Sequence, residues 1–265
     1  MVKKVNKKNR DKFSIYWGIT LFILALYVLW MFIFLYISHL EIKNIYREIE
    51  GRKIDNQFIR LEIDRVVKEK KNKIFWLDLK TDSSLTKFVN SSVPFDDKWY
   101  VPEDLLRIKS SFIDDMKWNQ YLKSEAKNAL EEMSKNFKIT FNQNIKVVSA
   151  YRSYNYQAWI KQRWCPDNLC AKAGYSEHQS GLAVDLWEAT TNNVFMSKTR
   201  LKNYYNWLSN NAHEYGFTNT YQKWLDIDWY EIEPWHWRYV WENLATYLIE
   251  NNMTIAEFYN EIKNG

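Results

Sequence analysis

A chain of 265 residues has room for one sizeable domain and an appendage, and a make-up of 46% hydrophobic and 26% charged residues excludes a disordered or low-complexity protein. Aromatic residues reach 17%, with 14 Trp and 18 Tyr, which calls for a core or a groove built from rings. The net charge of +5 resides in the first dozen residues, where Lys3, Lys4, Lys7, Lys8, Arg10 and Lys12 face only Asp11; the rest balances, so no nucleic acid partner is expected.

Residues 1–14 form this basic tail, and residues 15–37 that follow carry no charge at all. As a helix rising about 1.5 Å per residue the run reaches roughly 35 Å, enough for a hydrocarbon layer of about 30 Å. A cleaved signal peptide has an apolar core of only about 7–15 residues and a small-residue cleavage site, and Ser38-His39-Leu40-Glu41 offers none. The expectation is a signal anchor: one N-terminal transmembrane helix, N-terminus cytoplasmic by the positive-inside rule, everything beyond outside the cell membrane. Residues 38–84 read as an extracytoplasmic stalk, strand-like at 59–64. Thr81-Asp82-Ser83-Ser84 marks the boundary to a domain over 85–265.

In that domain Trp118, Leu122, Ala126, Ala129, Leu130, Met133 and Phe137 predict one face of a helix. The β-branched run 145–149 predicts a strand entering Tyr151-Arg152-Ser153, with a helix over 155–164 behind it. Cys165 and Cys170 close a short loop; a disulfide is the expectation outside the membrane, two free thiols the alternative, and a zinc ribbon lacks its other two ligands. Residues 183–187 predict a second strand. Leu201, Tyr204, Tyr205, Leu208 and Ala212 predict a helix closed by Gly216, 235–240 a third strand, and Thr254 with Glu257 a capping box on the last helix. Helices and short strands alternate without a βαβ rhythm, so the fold class is α+β, a small, mainly antiparallel sheet flanked by helices.

Of four histidines, His39 abuts the apolar run and His213 sits at a helix end, both structural readings. His178 lies in Ser176-Glu-His178-Gln-Ser-Gly181-Leu-Ala183-Val-Asp185, between two of the chain's few glycines. Asp185, flanked by Val184 and Leu186, is costly to bury without a partner, and a metal ion would meet that cost. With His236 of Glu233-Pro-Trp-His236 it makes two His and one carboxylate, the ligand set of a catalytic zinc site with one position left for water. Glu233 stands where a general base is needed, and Arg152 at a strand end suits an oxyanion or a substrate carboxylate. Each residue alone is more often structural; the set is not.

These motifs resemble, position for position, those of the zinc D-alanyl-D-alanine carboxypeptidases of the VanY type and their LdcB-type relatives. The likeness runs through Tyr151-Arg152-Ser153, Gln157, Trp207-Leu208, Asn211 to Phe217 and Glu233-Pro-Trp-His-Trp-Arg-Tyr-Val240, over roughly residues 85–262. It implies one zinc ion per chain on His178, Asp185 and His236, Glu233 as base, a substrate site of Arg152, Gln157, Ser176 and Trp235, and a fold shared with hedgehog domains. Three departures border the implied groove: residues 218–224, Trp241 in place of a frequent Gly, and the Cys165–Cys170 loop.

The expected function is removal of the C-terminal D-alanine from peptidoglycan stem peptides outside the membrane. Alternatives are L,D-carboxypeptidase, endopeptidase, or a non-catalytic zinc-bearing binding domain; a serine peptidase would need a Ser-x-x-Lys together with its partner motifs, and that combination is absent from the sequence.

Overall fold

The computed structural model describes residues 24, 26–40, 42–43, 77–163, 165–188, 191–223 and 225–264. Two compact units, Met1–Lys70 and Lys71–Gly265, divide the chain. In the first, residues 24, 26–40 and 42–43 are helical and expose Leu24, Trp30, Phe32 and Phe34. Among the described residues no helix is long and apolar enough to cross a membrane. Residues 15–23 and 25 of the expected span, and the strand-like run 59–64, lie outside the described residues.

The second unit is α+β. Strands β2 (Ile113–Asp115), β4 (Ile145–Ser149), β5 (Ala183–Leu186), β6 (Phe217–Asn219) and β7 (His236–Tyr239) form a sheet in the order β2-β4-β5-β7-β6. Every pairing in it is antiparallel except β2 with β4. β1 (Leu105–Arg107) and β3 (Tyr121–Lys123) make a separate antiparallel ribbon. The helices are α1 (Ser124–Phe141), α2 (Tyr154–Gln162), α3 (Asn192–Ser197), α4 (Thr199–Asn211), α5 (Leu225–Asp228), α6 (Glu242–Glu250) and α7 (Ile255–Asn264).

Ala126, Leu130, Met133 and Phe137 recur at helical spacing and bury α1 against Val147, Val184 and Leu186 of the sheet. Phe137 sits amid Trp187, Tyr204 and Trp207, with centroids 5.5, 4.9 and 5.4 Å away, so many of the rings in the composition are core. Asn142 ends α1 in the left-handed conformation, its N–H returning to the Lys138 carbonyl.

The helix expected to begin near Trp118 begins six residues later. Asp115 is the cause: its Oδ1 accepts from the Lys117 and Trp118 N–H groups, and its Oδ2 from that of Gln120. This side-chain-capped turn throws Trp118 to a φ of 69° and 78% exposure, and Leu122 enters the core from a strand. The last helix opens on its capping box, with the Thr254 N–H bonded to Glu257 and the Glu257 N–H to the Thr254 hydroxyl.

A second cluster joins Val240, Leu244, Leu248, Ile255 and Phe258 to Leu79 and Phe88. Residues 77–84, read from sequence as the end of a stalk, therefore pack against the C-terminal helices.

Candidate active site

The central strands bring the site together through their register. Ser149 of β4, Asp185 of β5 and His236 of β7 stand side by side, because Asp185 is paired with both neighbours. Cross-strand partners lie about 4.5–5.5 Å apart at Cβ, close enough for shared ligation. A register shift between Val147 and Ser149 is needed for this. Val147 pairs with Leu186 toward the core, and the extra residue turns Ser149 onto the face of Asp185. β4 then delivers the Ala150 carbonyl and Arg152 to the site.

His178 comes from the 3-10 turn Glu177–Ser180, closed by Gly181 at a φ of 69°. A Cβ on Gly181 would meet the Lys123 backbone nitrogen at 3.3 Å and Leu105 Cδ2 at 2.9 Å, so glycine is required by both conformation and space. His178 Nδ1 donates to the Ala150 carbonyl at 2.7 Å, leaving Nε2 to face Asp185 Oδ1 at 3.2 Å. His236 presents the other nitrogen: its Nδ1 lies 3.0 Å from the same oxygen, while Nε2 contacts Glu177 Oε2 at 2.9 Å.

One ligand atom from each of His178, Asp185 and His236 lies within 4.8 Å of the others, an arrangement that fits a metal ion. The electrostatics agree. Burial would strip His236 of its proton, yet hydrogen bonds to Asp185 and Glu177 raise its pKa to about 9, so this pocket of carboxylates demands a cation. His178 goes the other way, to about 4, through burial and the nearby Arg152 charge, which suits a neutral ligand. Asp185 stays ionised despite burial because His178 and Arg152 flank it.

Glu233 Oε2 lies 3.9 Å from His236 Nδ1, across the cluster. Burial, with Asp185 and Glu177 adding like charge, pushes its carboxyl up to about 7 against the pull of His236 and Arg152. Its backbone is fixed: the Glu233 N–H bonds the Tyr221 carbonyl at 2.9 Å, and Asn219 Nδ2 bonds the Glu233 and His236 carbonyls at 2.8 and 2.6 Å.

All eight non-cysteine site residues expected from sequence line one cavity of about 280 Å³: Arg152, Gln157, Ser176, His178, Asp185, Glu233, Trp235 and His236. Arg152 is more engaged than expected, with Nη2 on Asp185 Oδ2, Nε on the Ser149 hydroxyl and Nη1 3.5 Å from Gln157 Oε1. Gln157 Nε2 reaches the Ala171 carbonyl. Cys165 and Cys170 are disulfide-bonded, and Cys170 lines the cavity. The closed loop is tied to α2 through Lys161, which donates to both cysteine carbonyls, and to the segment before Glu233 through Asn168 and Glu231.

Residues 119–242 match the family VanY: D-alanyl-D-alanine carboxypeptidase. The chain is 34% identical over 178 residues to the putative carboxypeptidase YodJ of Bacillus subtilis (strain 168), covering 62% of this chain and 63% of YodJ. Among solved structures it resembles the LdcB LD-carboxypeptidase, with a TM-score of 0.58 at 30% identity over 68% of this chain and 87% of that one. The chain belongs to the VanY/LdcB-type peptidases. A second such likeness is to the vancomycin-resistance D,D-dipeptidase VanXYg, with a TM-score of 0.53 at 27% identity over 69% of this chain and 72% of that one. The chain spans less than two thirds of the length of the curated relatives it matches.

Within this VanY/LdcB-type site, residues 219–221 do more than border the groove. Thr220 donates to Glu177 Oε2, the Tyr221 ring packs 4.7 Å from that of His236, and Asn219 pins the Glu233 carbonyl, so this departure from the family pattern reaches a residue that could hold a metal ion. Sequence reasoning missed Glu177 as well, though a signal existed. Arg238 in the apolar strand Trp-His-Trp-Arg-Tyr-Val requires a buried counter-charge, and Glu177 Oε1 is that partner at 2.6 Å.

Proposed function

We propose that this chain is a zinc-dependent D,D-carboxypeptidase removing the C-terminal D-alanine from peptidoglycan stem peptides. The observation that carries the reading is the convergence of His178, Asp185 and His236 with Glu233 3.9 Å from His236 Nδ1, in a cavity that also holds Arg152. His178 Nε2, Asp185 Oδ1 and His236 Nδ1 would hold the ion, which supplies a Lewis acid to polarise the scissile carbonyl and acidify water. Glu233, with its raised pKa, takes the proton of the attacking water and returns it to the leaving amine. Arg152 keeps Asp185 in place through Nη2 and turns Nη1, beside Gln157, toward the position of a substrate carboxylate. Trp235 and Ser176 wall that space.

The reading includes a tether. Residues 15–37, uncharged behind a basic tail, would anchor the chain with its N-terminus in the cytoplasm and the peptidase outside, where peptidoglycan lies.

An L,D-carboxypeptidase is the second reading, supported by the higher TM-score to LdcB than to VanXYg. Mass spectrometry of muropeptides incubated with the zinc-loaded protein decides between them. Loss of one residue from a pentapeptide is expected. Loss from a tetrapeptide alone selects the second reading, and no product with zinc bound refutes both.

A further inference from the structure

Helix α2 wears its side chains inside out. A surface helix ordinarily buries an apolar stripe and shows water a polar one. In Tyr154–Gln162 the buried residue is Gln157, turned into the cavity, while Tyr156 and Trp159 stand 42% and 46% exposed. The two rings are stacked, with centroids 5.7 Å apart and planes 17° from parallel. Just beyond the helix Arg163 lays its guanidinium 3.8 Å from the Trp159 ring centre. Tyr156, Trp159 and Arg163 follow the i, i+3, i+7 spacing that puts them on one stripe. The other cation of this helix, Lys161, is turned to the disulfide loop and Asp167.

The strip is continuous with the cleft. Tyr156 and Ile160 line the same cavity as Arg152, His178 and Glu233, so the ladder begins at the cavity wall and runs outward along the helix. Its chemistry is specific. Flat rings present broad apolar faces at small cost in side-chain entropy, and a guanidinium at the end presents donors. A pyranose matches that pattern, with a C–H face to lay on the rings and hydroxyl acceptors around its rim. A protein partner would call for a far larger patch, of about 800 Å² per side. The stack of Arg163 on Trp159 holds the indole in place before any ligand arrives, which lowers the cost of binding.

We propose that Tyr156, Trp159 and Arg163 form a saccharide platform that holds the glycan to which the stem peptide is attached, extending the peptidase site from peptide to sugar. The proposal rests on the peptidoglycan reading above.

The test compares two substrates with the same peptide, one free and one borne on its disaccharide. Trp159→Ala should raise KM for the disaccharide-borne peptide about tenfold, the worth of one good ring contact. KM for the free peptide and kcat for both should stay unchanged, and Trp159→Phe should recover most of the loss. An equal shift on both substrates, or none on either, overturns the platform. So does a Trp159→Ala loss of binding to anionic phospholipid vesicles with no change in sugar preference. Should Trp159→Ala fail to fold, quenching of wild-type tryptophan fluorescence by a soluble chitin oligosaccharide, reduced in Arg163→Ala, reads the same contact, and no quenching overturns it. A wild-type protein that cleaves neither substrate fails differently: the peptidase reading falls, and the proposal with it.

Discussion

At Glu177 two buried oxygens serve three donors. Oε1 takes Arg238 Nη1, and Oε2 takes both the Thr220 hydroxyl and His236 Nε2. Since Nε2 must carry a proton to donate there, a neutral His236 ring, the form a metal would bind, has its lone pair on Nδ1, the nitrogen that faces Asp185. A fully buried carboxylate and guanidinium are costly to desolvate, and their mutual charge holds Glu177 down to about 2 against burial. Glu177→Gln removes that charge and should weaken zinc binding about 10–100-fold, read by competition with a coloured chelator. Unchanged affinity would show that His236 needs no such support. Glu233 carries the opposite burden. A carboxyl raised from 4.5 to about 7 favours the native state at low pH and costs stability as pH rises between those values. Glu233→Gln should therefore melt higher than wild type at pH 8 in the metal-free protein while losing at least about 100-fold in kcat. In the zinc-loaded protein the dication would pull that carboxyl down, so the acid limb of kcat/KM should lie below the metal-free value of about 7. His178, Asp185, Glu233 and His236 were legible because scarce residue types stood in glycine-bounded or apolar settings. Glu177 and Thr220 were not, since nothing local tells a buried Glu or Thr from a solvated one; the role of Glu177 comes from Arg238 and His236, 61 and 59 residues away, and that of Thr220 from Glu177, 43 residues away.

Between β7 and α6 the chain passes through Trp241 at φ 74° and ψ 146°, a conformation that suits glycine. The family pattern has glycine there often; this chain does not. Gly216 explains the tightness, for a Cβ on it would meet the Trp241 carbonyl carbon at 3.1 Å and Tyr239 Cε2 at 2.6 Å. Trp241→Ala and Trp241→Gly delete the same side chain, so their difference isolates backbone strain. The glycine variant should be the more stable by about 1–2 kcal/mol in urea unfolding, and equal midpoints would mean that the backbone is relaxed. At this scale the long helices and the three central strands followed from periodicity, capping and β-branched runs. The three-residue strands β1, β2, β3 and β6 did not, because so short a segment has no period to read and is held by its neighbours. The false start of α1 has a local cause, the Asp115 side chain competing for the N–H groups a helix would have used.

Over the whole second unit, residues 77–95 are a structural strap. Leu79 and Phe88 are buried with Leu244 and Phe258, Phe88 stacks on Tyr259, and the Lys87 carbonyl accepts from Arg238. The Lys87 ammonium, itself buried, is paired with Asp82 at 2.8 Å. A fragment starting at residue 86 would strand that ammonium and uncover the second cluster. It should be less stable than one starting at residue 71 by about 3 kcal/mol or more, measured by chemical denaturation. Burial alone would raise the Asp82 carboxyl, but Lys87 and the Asp96 and Asp97 N–H groups hold it below 3.8. Its contribution is thus present above that value and lost as pH falls through the lowered one, and Asp82→Asn should flatten the acid limb of the unfolding midpoint. The composition of residues 77–84 is polar enough to read as a linker, and only the burial of Leu79 across the molecule shows otherwise.

That strap also brings the two ends of the unit together, since residue 79 and helix α7 share one apolar cluster. A domain whose ends are neighbours tolerates circular permutation. Joining the end of α7 to residue 77 by a short glycine-serine link, and opening the chain at the exposed Gln143 between α1 and β4, should leave the sheet and the cluster of His178, Asp185 and His236 in place. The connectivity of the second unit is in that sense a ring cut at one convenient point, and a permuted chain that still folds with the same unfolding midpoint would show it.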